Sequence, residues 1–318
     1  MNARVGPVLR TAFSHLIDYA GLFPPAKLSL DESLAEYAAA QRGGAAWMLG
    51  RFIVPASRLG ELAKVHAAQP QPSPLEISAI VDASLEPRLW FASLQSVLRD
   101  IAHFRRDAAV LRIESLEVPL PPMLHARETF DAPIGQLRAS LDQAGLHDVA
   151  AYVELPRVAG RRELLDGAMA ALMRMHLAAK IRCGGTEANA FPSAGDVAAF
   201  ASAAARERVA YKATAGLHHP VRHRDEATGF IMHGFLNVLA AATFAPDVSA
   251  DQLEAIVAEE DPAAFAFDDT SLRWRDLRAG AGEVERMRMA AFRGYGSCSF
   301  SEPVEDLIAL GLLPAAAV

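Results

Sequence analysis

Residues 209–220 read VAYKATAGLHHP and combine a short apolar run with a lysine and a turn of small residues. The apolar run predicts a buried strand, and Lys212 lies inside it. A second segment, AAKIRCGG at 178–185, places Lys180 and Arg182 in another short strand that ends at glycines. Residues two apart in a strand share a face, so both strands can aim cations at one interior. An unpaired charge in a core is costly, and the pair therefore predicts a functional site.

The rest of the chain alternates strand and helix around these two segments. Each predicted strand is a short apolar run that ends at turn residues. The eight predicted strands cover 15–22, 47–54, 75–81, 108–113, 148–154, 178–182, 209–214 and 296–300. This alternation is typical of a parallel sheet with helices outside, and its repetition over 318 residues favours a closed (β/α)8 TIM barrel. We predict a single domain, 1–318, with an insertion near 245–280.

Composition excludes several classes of protein. The chain is 52% hydrophobic and 22% charged, with a net charge of −7, which does not suit a nucleic-acid-binding surface. Neither a signal peptide nor an apolar stretch long enough for a membrane span is evident. Two cysteines, Cys183 and Cys298, fit a reducing compartment. We therefore expect a cytoplasmic protein without nucleic-acid or membrane partners, and the sequence leaves open whether it forms a homo-oligomer.

Charged or polar residues recur at the predicted carboxyl ends of the strands, where TIM-barrel enzymes hold their reactive groups. They are Asp18, Arg51, Asp82, Arg112, Glu114, Glu154, Lys180, Arg182, Lys212 and Ser297. Any one of them could simply make the barrel mouth polar or form a structural ion pair. As a set they favour an active site.

Two lysines in one barrel indicate a particular chemistry. A lysine beside another cation loses basicity, and its free amine can attack a carbonyl carbon to form a Schiff base. We expect Lys212 and Arg182 to lower the pKa of Lys180 by about three units from its usual value near 10.4. Glu154 or Asp18 would then relay protons. We expect neither a cofactor nor a metal, because the reacting group belongs to the protein.

Five segments resemble the deoxyribose-phosphate aldolase family of Schiff-base barrels, and they follow the family's order along the chain. They are LIDYAGLFPPAKLSLDE at 16–32, AAYVELP at 150–156, AAKIRCGG at 178–185, VAYKATAGLHHP at 209–220 and FRGYGSCSF at 292–300. The resemblance implies a class I aldolase in which Lys180 forms the Schiff base and Lys212 tunes it. It also implies that Gly296 and Ser297 hold an anionic group of the substrate through backbone amides, and we add Gly216 to that set.

The sequence departs from the family pattern at three places. Arg182 and Cys183 stand where the family has small hydroxyl residues, and Ala215 replaces the first of two glycines. The family's fourth strand carries an aspartate that works with the lysine, but VLRIES at 110–115 offers Arg112 and Glu114, which leaves that role unassigned. The planar guanidinium of Arg182 suits a carboxylate or a phosphate. We therefore expect a small anionic carbonyl substrate, and we carry over neither deoxyribose phosphate nor a reaction direction.

The substrate-binding prediction covers the polar and glycine residues at these strand ends and turns. They are Arg182, Glu114, Thr214, Gly216, His218, His219, Gly296 and Ser297.

Two other functions remain open. Four histidines, His218, His219, His223 and His233, lie close together in the sequence and could bind a metal in a hydrolase or lyase. No H-x-H or H-E-x-x-H spacing supports that alternative, and loop histidines are commonly held by hydrogen bonds alone. The barrel could also bind a small molecule without catalysis, since fold does not determine function.

Overall fold

A computed structural model describes residues 5–69, 74–107, 110–122, 130–156 and 162–315. Eight parallel strands form a closed barrel, which confirms the predicted fold class. The barrel strands are β1 (Ile17–Tyr19), β2 (Leu49–Pro55), β3 (Leu75–Ile80), β4 (Leu111–Pro119), β5 (Ala150–Glu154), β6 (Ala178–Arg182), β7 (Tyr211–Thr214) and, last in the chain, β13 (Phe292–Ser297). Neighbours around the barrel follow the order β1-β13-β7-β6-β5-β4-β3-β2.

Helices surround the barrel. They are α1 (Pro7–Phe13), α2 (Leu30–Arg42), α3 (Leu59–Ala68), α4 (Pro87–Asp107), α5 (Asp131–Gln143), α6 (Arg162–Arg174), α7 (Ala194–Glu207), α8 (Phe235–Phe244), α9 (Ala250–Ala258), α10 (Ala281–Ala290) and α11 (Ser301–Ala309). None of the helices in the described residues is both long and apolar enough to cross a bilayer.

Two small sheets lie outside the barrel. A hairpin follows β7 and consists of β8 (His223–Arg224) and β9 (Ile231–Met232). Between α9 and α10, an antiparallel sheet consists of β10 (Phe265–Phe267), β11 (Ser271–Trp274) and β12 (Leu277–Gly280). Together with α9, this sheet forms the insertion that the sequence predicts near 245–280.

Along each strand, side chains alternate between the barrel interior and the outer face that the helices cover. On β7, Tyr211 packs against Phe200 of α7 and Phe292 of β13 with ring centroids 5.4 and 5.3 Å apart, so it faces outward. Lys212 follows it in sequence and therefore faces the interior. On β13, Gly294 and Gly296 pair with Lys212 and Thr214. Both glycines are closely packed, because a Cβ would lie 2.8 Å from the carbonyl oxygen of Leu16 at Gly294 and 3.1 Å from Oγ1 of Thr214 at Gly296.

Strands four and eight differ most from the sequence prediction. Strand four was predicted to end at 113, but β4 continues to Pro119, where the proline cluster stops it. The first part of the predicted strand, residues 108–109, lies outside the described residues. Strand eight was predicted at 296–300, but β13 begins at Phe292 and ends at Ser297. The glycines of β13 hid its beginning, because they interrupt the apolar run.

Candidate active site

The register of three adjacent strands places Glu154, Lys180 and Lys212 side by side. Lys180 on β6 pairs with Glu154 on β5 and with Lys212 on β7. Both lysines are buried, with only 4% of Lys180 and 1% of Lys212 exposed. The barrel therefore brings together the two amines that the sequence singles out.

A carboxylate that the sequence analysis missed lies between the two amines. Glu117, on the part of β4 beyond residue 113, is 1% exposed. Its Oε2 lies 2.6 Å from Nζ of Lys180, and its Oε1 lies 2.7 Å from Nζ of Lys212. The hydroxyl of Ser78 donates a third hydrogen bond to Oε1 at 2.8 Å. Glu117 is thus a shared partner of both lysines.

Each lysine has a second carboxylate partner on the side away from Glu117. Nζ of Lys180 lies 2.8 Å from Oε2 of Glu154, and Nζ of Lys212 contacts Oδ2 of Asp18. The result is a row of alternating charge, Glu154–Lys180–Glu117–Lys212–Asp18, which we call the lysine–carboxylate row. All four residues that we predict to be catalytic on sequence evidence, Lys180, Lys212, Glu154 and Asp18, belong to this row.

Asp18 is held from the opposite side by β2. The backbone N–H of Arg51 donates to Oδ1 of Asp18 at 2.6 Å, and the Arg51 guanidinium lies 4.0 Å from the same oxygen. Gly50 permits this approach, because a Cβ there would lie 2.3 Å from Oδ1 of Asp18. A buried charge needs such partners, since an unpaired one costs several kcal/mol.

The row sets the pKa values of its two lysines and of Glu117. Burial alone would lower the pKa of Lys180, but Glu117 and Glu154 outweigh it and the pKa is raised. The pKa of Lys212 is raised in the same way, with Asp18 and Glu117 outweighing burial. Burial would raise the pKa of Glu117, but the two lysines hold it well below its usual range. Both lysines therefore rest as ammonium ions at neutral pH.

This result corrects the predicted pKa of Lys180. The prediction that Lys212 and Arg182 lower the pKa of Lys180 is wrong. Glu117 lies between the two lysine amines and offsets their repulsion. Glu117 was missed because strand four was ended too early. The signal was present in 111–119, LRIESLEVP, where apolar Leu116 and Val118 alternate with Ser115 and Glu117.

Glu114, which the sequence predicts to bind substrate at the end of strand four, does not lie at the carboxyl end of β4. It is exposed and lies in the amino-terminal half of β4, next to a register shift between β3 and β4. Burial lowers the pKa of Arg51, but the charges of Asp18, Tyr152 and Glu114, in decreasing order, raise it. The charge of Glu114 also raises the pKa of Arg105, near the end of α4, by less than Asp148 does. Because β4 continues to Pro119, the charged residue near its carboxyl end is Glu117 and not Glu114.

Arg182 extends beyond the lysines along β6. Its side chain is 55% exposed, and its Nη1 lies 3.9 Å from Oε1 of Glu154. Its Nε donates to the carbonyl of Gly184 at 3.0 Å. Thr214 pairs with Arg182 across β6 and β7, so both stand one position beyond the lysines.

The glycine and serine residues predicted to bind an anion lie at the ends of β7 and β13. Gly216 has φ of +70°, and a Cβ there would lie 3.2 Å from the carbonyl of Cys183. Gly296 pairs with Thr214, and Ser297 is 2% exposed with its hydroxyl accepting a hydrogen bond from the N–H of Ser299. An anion site formed by their amides stays a prediction.

The histidines of the turn after β7 contact helix α11. Nδ1 of His218 lies 3.2 Å from Oε2 of Glu302, and Nδ1 of His219 lies 2.8 Å from Oδ2 of Asp306. Buried His233 bonds instead to the carbonyl of Pro192. Within the described residues, no group of three or more His, Cys, Asp and Glu side chains could hold a metal ion. The four histidines that suggested a metal enzyme are thus divided among separate partners.

A pocket opens beside Lys180 at the carboxyl ends of β5 and β6. Its volume is about 420 Å³, and its wall includes Glu154, Lys180, Arg182, Arg162 and the first turn of α7. Lys212 is not among the described residues that line it. Of the two lysines, Lys180 is therefore the one placed to meet a ligand.

Comparison with known proteins agrees with the barrel fold. No protein-family model and no curated protein matches the sequence. The barrel is similar to two solved aldolases. A structure described as QR15, an aldolase, has a TM-score of 0.52 at 12% identity, covering 94% of this chain and 97% of that one. A tetrameric deoxyribose phosphate aldolase from Aeropyrum pernix has a TM-score of 0.50 at 11% identity, covering 95% and 93%. At such low identity the similarity shows the fold alone.

Proposed function

We propose that this protein is a class I aldolase-like lyase in which Lys180 forms a Schiff base with a small carbonyl substrate. One observation carries the proposal. Two buried lysines share Glu117 inside an aldolase-like barrel, and Lys180 also lines a pocket. A barrel that only needed structural ion pairs would have no reason to open one of its buried amines to a cavity.

The first step is to free the amine. Lys180 rests as an ammonium ion, so it must lose a proton before it can attack. Oε2 of Glu154 lies 2.8 Å away, within reach for proton transfer, and Glu154 also lines the pocket. Glu117 stays ionised beside Lys212 and keeps its negative charge next to the reacting nitrogen. Glu154 is therefore the proposed base for this step.

The amine then bonds to the substrate. The Lys180 nitrogen attacks the carbonyl carbon, and the carbonyl oxygen takes up a proton to give a carbinolamine. Glu154 returns the proton it took up, the oxygen leaves as water, and a protonated imine remains, whose positive charge replaces that of the ammonium ion between Glu117 and Glu154. Breaking a C–H or C–C bond at the α carbon sends its electron pair to the imine nitrogen and forms an enamine. Reprotonation of carbon and hydrolysis by water restore Lys180.

Lys212 has a supporting role in this account. It is held by Asp18, Glu117 and the hydroxyl of Ser78 at 3.3 Å, and it keeps Glu117 ionised. A second cation beside Glu117 also limits how strongly that carboxylate raises the pKa of Lys180. Lys212 thus tunes Lys180 through Glu117 instead of through direct repulsion.

Exchange of α protons with solvent tests the proposal without knowledge of the natural substrate. In D2O, an enamine intermediate replaces the α protons of acetaldehyde, acetone or pyruvate by deuterium, and NMR follows the loss of signal. We expect the wild-type protein to catalyse exchange of at least one compound and Lys180→Arg to lose it, because a guanidinium keeps the charge but cannot attack.

Lys64→Arg, at an exposed position on α3, is the matched control and should exchange like the wild type. Exchange that persists in Lys180→Arg, or wild-type protein that exchanges none of the compounds, would contradict the proposal.

A further inference from the structure

Among the described residues, two cations that line the pocket beside Lys180, namely Arg182 and Arg162, have no carboxylate partner closer than 3.9 Å. The other charged residues that line the pocket have partners within the protein. Lys180 pairs with Glu154 at 2.8 Å, and Asp196 caps α7 by accepting a hydrogen bond from the N–H of Ser193 at 3.1 Å. Arg182 approaches Glu154 only to 3.9 Å, and no carboxylate of the described residues forms an ion pair with Arg162. Among the described residues of the pocket, the charge without a close partner is thus positive.

The guanidinium of Arg182 is oriented for a ligand. Its Nε donates to the carbonyl of Gly184 at 3.0 Å, which restrains the plane of the group, and Arg182 lines the pocket. Gly185 follows in the same turn, and a Cβ there would lie 2.7 Å from Cβ of Ala190, so the turn beside Arg182 is closely packed. A fixed, half-exposed guanidinium is suited to bidentate binding of a carboxylate or phosphate.

Helix stability does not explain why an arginine stands at position 162. It is the first residue of α6, and a cation in the first helical turn opposes the helix dipole. It is exposed and lines the same pocket as Arg182. Its position is accounted for if it faces a negative ligand.

The distance between the amine and the guanidinium limits the size of the ligand. Lys180 contacts Oε2 of Glu154, and Arg182 approaches Oε1 of the same carboxylate. A molecule that offers its carbonyl carbon to Lys180 and an anion to Arg182 therefore needs only a few bonds between the two groups.

We propose that the pocket binds the anionic end of a short carbonyl compound, a carboxylate or a phosphate ester, through Arg182 and Arg162. This inference rests on the proposed function and gives its substrate class. It places the anion at the ends of β5 and β6, on the other side of Lys180 from the predicted amide site at Gly216, Gly296 and Ser297.

Two pairs of probes that differ in charge test the inference. Pyruvate is compared with pyruvamide, and glycolaldehyde phosphate with glycolaldehyde, by the rate at which cyanoborohydride fixes each compound to the protein as an added mass. We expect the wild type to prefer the anionic member of at least one pair by about tenfold or more, the range for a hydrogen-bonded ion pair. The pair with the larger preference identifies carboxylate or phosphate.

Arginine variants locate the anion. Arg182→Gln and Arg162→Gln should each lose most of the preference, and Arg182→Lys, which keeps the charge without the planar fork, should lose part of it. Arg286→Gln, at an exposed position on α10, is the control and should keep the wild-type preference.

Equal trapping of charged and neutral probes by the wild type would overturn the inference and leave the Schiff base intact. A preference that survives in both glutamine variants would overturn it too, in favour of the amides at β7 and β13. Absence of any adduct would overturn the proposed function itself.

Discussion

At the scale of single residues, Glu117 controls the chemistry of both lysines. It accepts from both amines and from Ser78, and it has no exposed surface through which water could replace them. Both lysines therefore rest as ammonium ions, which differs from a site in which a neighbouring cation keeps one lysine neutral. In the mechanism that we propose, Lys180 therefore transfers a proton to Glu154 before it attacks.

The pH dependence of Schiff-base formation follows from this arrangement. Because the pKa of Lys180 is raised, the free amine is a small fraction near pH 7 and increases about tenfold for each pH unit below that pKa. Trapping of a carbonyl compound by wild-type protein should therefore quicken steadily from pH 7 to 9. Glu117→Gln removes a carboxylate that raises the pKa of Lys180, so its rate profile should shift to lower pH.

Glu114→Gln is the matched control, because it removes a carboxylate from the same strand at a position away from the amines. Circular dichroism should accompany both variants, since losing one partner of a buried ion pair costs about 3–5 kcal/mol. Equal profiles for the two variants, or a shift of Glu117→Gln to higher pH, would show that Glu117 does not set the pKa of Lys180.

At the scale of elements, the sequence predicted the strands that carry the lysines but not the full length of β4. Lys180 and Lys212 were recognisable because each is a charge inside an apolar run. Glu117 was not recognised because two charged residues, Arg112 and Glu114, precede it and suggest that the strand ends at 113. The contacts of His218 and His219 with α11 could not be predicted, because they join residues 84 and 87 positions apart in the chain.

The turn after β7 gives a prediction at the same scale. Gly216 at φ +70° packs against Cys183 and Gly184 at the end of β6, which holds the two lysine-bearing strands together beyond the site. Gly229 has φ +72°, but a Cβ there would meet nothing within 4 Å. Both alanine variants incur backbone strain of about 1–2 kcal/mol, and only Gly216→Ala adds a clash.

Urea unfolding measures the comparison. Gly216→Ala should lose more free energy of unfolding than Gly229→Ala, and the excess reports the close packing of β6 and β7. Equal losses, or a larger loss for Gly229→Ala, would mean that Gly216 is required only for its backbone conformation.

At the scale of the whole molecule, alternation of strand and helix was enough to predict the closed barrel and the insertion before its last helices. Two solved aldolases share this fold with TM-scores of 0.52 and 0.50 at 12% and 11% identity. The function is not contained in that fold, because barrels of this kind support many reactions. The function that we propose depends on the five charged side chains that meet inside the barrel. The organisation as a single domain stays a prediction, as does the compartment.

The site of covalent attachment tests the central claim most directly. Wild-type protein is incubated with a small aldehyde or oxo acid, reduced with borohydride, digested, and mapped by mass spectrometry. The other lysines, exposed Lys27 and Lys64, serve as internal controls for non-specific reaction. We predict one stoichiometric adduct, on the peptide that contains Lys180, and its absence from Lys180→Arg. An adduct on Lys212 in its place, or a folded protein that forms none with any carbonyl compound tried, would contradict the account.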